Sequence, residues 1–453
     1  MKNRIAYLAL AAAVTASAAV AAQNSMVEEG LKKEGAYPTL PVSTAKEPFS
    51  REFIKKAKES FDNFHWQMAG DHALYYNLQM SELRPTAIAS PNYDYKPLER
   101  NILPELGEIK VVTSKGELTL NEYMVHPLFR AQAVIFIHKG KVVYESYPGI
   151  KRTDRKIWAS SAKTMVGLIL AMLVEEGKVD LDKPISEYVP ELKDTAWDGI
   201  IVRSVANMTT GLDNEETYES IMNPNSSVVR FFTAGIGAKN PKTGKAEDWL
   251  LDVARSETKI EGEEQGKQFR YASMNTTVLT QLIENVEDKM WIDIFEERVW
   301  SKVYARQSAF FNLTDSGTAL PVGFLSTTPE DMARFATLFT PSWKTVASEK
   351  IATPALIERI RAEVDEKRYI GTAKEETSKN MFNEVAIGNG YQFDYIFSDG
   401  AIAKSGNMNQ MIYMDPNRDF AAIALSSSPY HSGFGEFKAP AYMRKAAKML
   451  ADK

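Results

Sequence analysis

The distribution of apolar residues predicts an α+β fold: an antiparallel sheet built from both chain ends and flanked by helices, with a helical subdomain inserted between them. Three observations carry this. Ala133–Ile137 and Val142–Ser146 are β-rich runs joined through Lys139-Gly140, the signature of a hairpin. Tyr391–Phe397, Ala401–Lys404, Gln410–Met414 and Phe420–Leu425 are short β runs near the other end, the last two separated by the turn Asp415-Pro-Asn-Arg-Asp419. From Val202 to about Phe339 the period is mainly helical. Strands from the two ends must therefore share one sheet around the insert.

Taken in chain order, the first element is an export signal over residues 1–22. Lys2 and Arg4 precede the Ala-rich run Ile5–Val20, and Ala19-Val20-Ala21 or Val20-Ala21-Ala22 offers small residues for cleavage. The run is too short to favour a permanent span, and a chain without cysteine has no lipoprotein anchor and no disulfide. A periplasmic or secreted location is expected. Residues 23–110 form an N-terminal extension, with an amphipathic helix over Glu47–His65 and an extended wrap over Pro85–Pro104. Residues 111–453 form the main domain, its helical subdomain at about 178–340. The apolar run after Ser160 ends at Gly177, a normal helix stop. Asp180–Pro190 is a loop, Thr328-Pro329 starts a further helix, and an amphipathic helix over about Ala439–Ala451 ends the fold.

Composition narrows the chemistry. The 453 residues carry a formal charge of −5, and loss of Lys2 and Arg4 makes it more negative. Neither a nucleic acid nor, after signal cleavage, a membrane is expected as partner; a small-molecule substrate is. Zero Cys and five scattered His (65, 72, 126, 138 and 431) leave no zinc site, and no cofactor motif is present.

Candidate chemistry centres on Trp158-Ala-Ser160-Ser-Ala-Lys163. At a helix start, residues three apart share a face, so Ser160 and Lys163 can share a proton. A serine hydroxyl becomes nucleophilic when a base takes its proton, and a lysine whose pKa is lowered can help. S-x-x-K also occurs at Ser43–Lys46 and Ser256–Lys259, but only Ser160 precedes a run apolar on nearly every side, Met165–Leu173. Such a helix must be buried, and its start is a rigid mount. Tyr271, in Phe269-Arg-Tyr-Ala-Ser-Met-Asn275, is the acid/base candidate, its pKa expected to be pulled down by nearby ammonium groups. Lys404, in Ala403-Lys-Ser-Gly-Asn407, either faces the cleft or marks a solvated edge strand. If it faces the cleft, its removal should leave folding nearly intact. Gly406 allows close approach to the strand backbone, and the Asn407 and Ser160 N–H groups can form an oxyanion hole.

The order S-x-x-K, Y-x-S and K-S-G resembles the serine β-lactamase and penicillin-binding superfamily, nearest its class C β-lactamase, family VIII esterase and 6-aminohexanoate-dimer hydrolase branch. Met208-Thr-Thr-Gly-Leu212 with Glu215, Glu216 and Tyr218 resembles a segment of the amide-hydrolase branch. Gly390-Tyr-Gln-Phe393, Gly406-x-x-x-Gln410 and Asp415-Pro416 resemble that branch's C-terminal strands. The resemblance covers about residues 125–450. It implies a β-lactamase/transpeptidase-like fold and an acyl-enzyme on Ser160, with Lys163 and Tyr271 carrying the proton. It also implies substrate contacts from Lys404, Ser273, Asn275 and Asn407, and no cofactor or metal. Ser273 stands where β-lactamases usually carry an asparagine, so hydrolysis of an amide or ester in a small linear compound is expected before β-lactam hydrolysis or D-amino-acid peptidase action. A peptidoglycan sensor or scaffold with this fold is the non-enzymatic alternative.

Overall fold

The computed structural model describes residues 34–67, 70–91, 95–240, 242–428 and 436–451. The expected export signal lies outside them. Lys139 and Gly140, at φ 49° and 73°, make the tight turn between Ala131–His138 and Lys141–Ser146. Positive φ at both positions matches the right-handed twist of the strands they join. This hairpin joins five C-terminal strands in a seven-stranded antiparallel sheet. Its spatial order is 141–146, 131–138, 420–426, 410–415, 402–406, 393–396, 388–390. The sheet from both chain ends is thus present, closed where Ile135 stands opposite Ile423.

Both faces are covered, as alternation requires. Ala421, Ile423 and Leu425 belong to one core, with Met165 and Leu168 of the Lys163–Glu175 helix. Phe420, Ala422 and Ala424 belong to the other, beneath the Ala439–Leu450 helix. The Pro329–Thr337 helix, capped by Thr328 Oγ1 accepting from the Asp331 N–H at 3.2 Å, packs on the first face. Gly167 lies inside the continuous Lys163–Glu175 helix, where the Tyr391 carbonyl occupies the place of a Cβ.

The insert is not purely helical. Ala309–Asn312 and Leu325–Thr327 are strands of a second, four-stranded sheet, completed by Thr86–Ala89 and Lys156–Ile157. Strands of two to four residues carry no periodicity of their own, and the pairing of Ala309–Asn312 with Thr86–Ala89 comes from more than two hundred residues away in sequence. The wrap expected over Pro85–Pro104 therefore includes a paired strand. The Glu47–His65 helix is two, Arg51–Glu59 and Asn63–Gln67, the first capped by Ser50. Between the insert and the C-terminal strands lie three helices to which no sequence expectation attached: Pro354–Ala362, Glu366–Tyr369 and Ala373–Phe382.

Candidate active site

Ser160 lies in a 3₁₀ turn, Ala159–Ala162, that leads into the Lys163–Glu175 helix. In a 3₁₀ turn residues i and i+3 eclipse, so Ser160 and Lys163 stack more closely than on an α-helix. Ala159 is held at φ 46°, a left-handed conformation costing about 1–3 kcal/mol for a residue with a Cβ. Trp158 holds it there. Its N–H donates to Leu325 O at 2.8 Å, its indole Nε1 donates to Thr327 Oγ1 at 2.8 Å, and its ring packs on Phe335. On the other side Gly406 lies so close that a Cβ would sit 2.7 Å from Trp158 O and 2.8 Å from Ser160 N. The nucleophile candidate is thus wedged between the two sheets.

Lys163 is fully buried. Its Nζ donates to Ser160 Oγ at 2.9 Å, Ser273 Oγ at 2.9 Å and Val322 O at 2.6 Å. Burial pulls its pKa down to about 7, with Glu216 opposing and Lys404 reinforcing the shift. At neutral pH a large share of the amine is unprotonated, beside the hydroxyl whose proton it can accept.

Tyr271 lines the same cleft as Ser160 and accepts from Lys404 Nζ at 3.3 Å. The expected downward shift is not found. Burial and the carboxylates of Asp394 and Glu216 push the phenol well above its ordinary value, against the pull of Lys374. It is therefore a hydroxyl at neutral pH, fit to donate and relay a proton, and Lys163 is the better acceptor. Lys404 is fully buried in the interior of the sheet, opposite Ile412, and is no edge charge. Its pKa falls to about 8 through burial, opposed by its ion pair with Asp394.

The cleft above these groups is lined by Ser160, Tyr271, Lys374, Gly406 and Asn407. The Asn407 side-chain amide donates to Gln67 O at 3.2 Å. Ser273 engages Lys163 and does not line the cleft. Asn275 is brought to neither place: it is fully buried within the Ser273–Glu287 helix, and neither of its amide atoms has a hydrogen-bond partner. Helical geometry explains this, since residue 275 is turned about 200° from residue 273 around the axis. Trp66, Phe232 and Phe324 are the cleft's apolar lining, the Trp66 ring tilted 47° against that of Phe324 with centroids 4.9 Å apart. The N-terminal extension thus supplies part of the cleft.

Three contributors were missed in the sequence, Lys374, Asp394 and Trp66, and Glu216 was singled out only within a resembling segment, without a role. Asp394 carried a signal. It is a lone acid in an apolar strand run, one step along from the Tyr395–Ala403 pair and so opposite Lys404. Lys374 carried none, since its helix reaches the site only through tertiary packing.

A family model described as Beta-lactamase matches residues 122–447. The 6-aminohexanoate-dimer hydrolase of Paenarthrobacter ureafaciens is 24% identical over 368 residues, spanning 80% of this chain and 87% of that protein. Among solved structures, a candidate 6-aminohexanoate-dimer hydrolase from Bacillus anthracis aligns with a TM-score of 0.65 at 18% identity, over 91% of this chain and 97% of that one. That coverage exceeds what residues 111–453 alone can supply, so part of the N-terminal extension shares the fold. EstA from Arthrobacter nitroguajacolicus Rue61a aligns with a TM-score of 0.51 at 15% identity, over 74% of this chain and 95% of that one.

Proposed function

This chain belongs to the beta-lactamase family, and as a hydrolase of that fold we propose that it cleaves an amide or ester of a small linear compound through an acyl-enzyme on Ser160. The observation that carries this is the buried Lys163 amine held 2.9 Å from Ser160 Oγ with its pKa near neutrality. Ser160 Oγ bonds to the substrate carbonyl carbon as its proton passes to Lys163. The carbonyl oxygen, now negative, takes hydrogen bonds from the Ser160 and Asn407 N–H groups. Tyr271 donates its proton to the departing amine or alkoxide and is reprotonated from Lys163, so the C–N or C–O bond breaks with charge balanced. Water then adds to the acyl-enzyme by the same route in reverse and releases the acid.

Charge and shape support a linear substrate. Glu215, Glu216 and Lys374 line the cleft together with the apolar Trp66, Phe232 and Phe324. A chain with an apolar middle and a charged group at one or both ends suits that lining, and the name of the Paenarthrobacter relative describes such a compound. Ser273 is turned to Lys163, and so offers no side-chain amide for the substituent of a β-lactam. The sensor-or-scaffold alternative rests on an N-terminal extension without a role and on the altered second motif; against the first, Trp66 and Gln67 of that extension line the cleft. Location in the periplasm or outside the cell is part of the same proposal and is checked by fractionation and N-terminal sequencing.

The test is a fluorophosphonate adduct mapped by peptide mass, together with kcat/KM for 6-aminohexanoate dimer, p-nitrophenyl butyrate, a D-Ala-D-Ala peptide and nitrocefin. Labelling at Ser160, its loss in Ser160→Ala, and a preference for the first two substrates are expected. Labelling elsewhere, or turnover that survives Ser160→Ala, rejects the mechanism; a preference for nitrocefin or the peptide rejects the substrate class.

A further inference from the structure

Asp394 belongs to none of the three motifs, yet it is the buried hinge of the charges around Tyr271. It is 1% exposed. Lys404 Nζ donates to its Oδ1, Lys374 Nζ donates to its Oδ2 at 2.9 Å, and Ser405 Oγ donates to Oδ2 at 3.4 Å. Both ammonium groups lie over the Tyr271 ring, Lys374 at 4.2 Å and Lys404 at 4.4 Å from its centroid. Two cations gathered on one ring repel each other unless an anion stands between them, and a buried charge stripped of its partner is strongly destabilised. We propose that Asp394 is a positioning residue for acyl transfer: it clamps Lys374 and Lys404 together against Tyr271 and so fixes the phenol beside Ser160. This rests on the acyl-enzyme reading above.

The charged and titratable groups around Asp394 come from every neighbouring element. They are Lys163 of the Ser160 helix, Glu216 of the loop before Tyr218, Tyr271, Tyr369, Lys374, Tyr395 and Lys404. Tyr369 OH donates to the Asp394 main-chain oxygen at 2.9 Å, and Tyr395 OH shares a 3.0 Å hydrogen bond with Ser405 Oγ. With Lys163 neutral, the two carboxylates Asp394 and Glu216 balance Lys374 and Lys404. Removing the Asp394 charge leaves a surplus positive charge, which makes Lys163 and Lys404 release protons more readily, since Asp394 raises the pKa of both. Both limbs of a bell-shaped rate profile should move toward lower pH. Removing the Lys374 charge does the opposite.

The experiment measures kcat/KM for p-nitrophenyl butyrate against pH in the full-length wild type, Asp394→Asn, Asp394→Glu, Lys374→Gln and the double variant Asp394→Asn/Lys374→Gln. Asp394→Asn should lose about a hundredfold in kcat, the scale of a misplaced reacting group, with both limbs displaced to lower pH. Asp394→Glu should recover the limb positions. Lys374→Gln should displace them to higher pH, and the charge-balanced double variant should return them toward wild type. If Asp394→Asn does not fold, Lys374→Gln, which keeps the Asp394–Lys404 pair, and the double variant carry the same comparison. Limbs that stay at their wild-type positions in all soluble variants overturn the proposal, even where rates fall, because loss of packing alone does not move them. Fluorophosphonate labelling of the wild type separates the two failures. An unlabelled Ser160 removes the acyl-enzyme reading and this role together; a labelled Ser160 with unshifted variants removes the role of Asp394 alone.

Discussion

Glu216 Oε1 accepts the backbone N–H of Ser273 at 2.5 Å. A carboxylate from the loop before Tyr218 therefore caps the helix that opens with the second motif, and a free helix N-terminus favours such an anion. The same carboxylate raises the Lys163 pKa. Glu216→Gln should keep most of the cap, costing roughly 1 kcal/mol or less in urea denaturation, and should move the acidic limb of kcat/KM to lower pH, because the neutral amine is then favoured. An acidic limb that stays in place, or moves up, contradicts this link.

Lys404→Ala should be costly to the fold. The sequence suggested that a cleft-facing lysine could be removed with folding nearly intact, but Lys404 is fully buried and paired with Asp394. Breaking a buried pair from one side costs about 3–5 kcal/mol. Equilibrium denaturation of the variant should show a loss of that order together with slowed acylation; wild-type stability would mean that the pair is open to solvent.

Gly406→Ala tests the wedge around Ser160. Its added methyl would sit 2.7 Å from Trp158 O and 2.8 Å from Ser160 N, both backbone atoms. Overpacking of this kind costs about 1–3 kcal/mol, and displacement of an oxyanion donor slows acylation by about a hundredfold or more. Pre-steady-state acylation rates at matched temperature give the comparison, and an unchanged rate would place the donors elsewhere.

Glu257 gives a pH dependence of stability separate from activity. It is buried, accepts from Asn214 Nδ2 at 2.9 Å, and burial raises its pKa from 4.5 to about 8. The folded state therefore holds this proton more tightly than the unfolded chain. The stabilisation is full below about pH 4.5 and is lost as pH rises to about 8, a change on the order of a few kcal/mol. Glu257→Gln carries no titrating proton, so its Tm should fall less than that of the wild type between pH 5 and pH 8. Parallel melting curves would contradict the assignment.

The parts of the site carried by local pattern were legible in the sequence. Ser160 with Lys163 stood out because a helix apolar all round followed them, and Lys404 and Gly406 because they interrupt a β run. The two-ended sheet was legible for the same reason, since period 2 at both ends and period 3.6 between them admit few arrangements. What stayed hidden depends on contacts between distant segments. Among the described residues the strand Thr86–Ala89 pairs only with 309–312, Lys374 reaches Tyr271 only once its helix docks, and the direction of the Tyr271 shift depends first on burial and then on the carboxylates of Asp394 and Glu216. Asn275 shows the converse: a resemblance supplied a role that a turn of helix denies.

Ala131–His138 is the second of the seven strands in the main sheet, yet its neighbour on one side is Phe420–Ser426, made only after the whole insert. A ribosome releasing this protein residue by residue exposes the hairpin and the whole helical insert long before the strand that joins them exists. Closing so long a loop is slow, and unpaired strand edges are sticky while they wait. Ser160 and Lys163 are made before the helical insert, and Lys404 and Gly406 only after it. Synthesis and assembly are thereby separated in time: the strand that carries Lys404 and Gly406 follows the serine by more than two hundred residues, and the cleft closes around Ser160 only once that strand has been made.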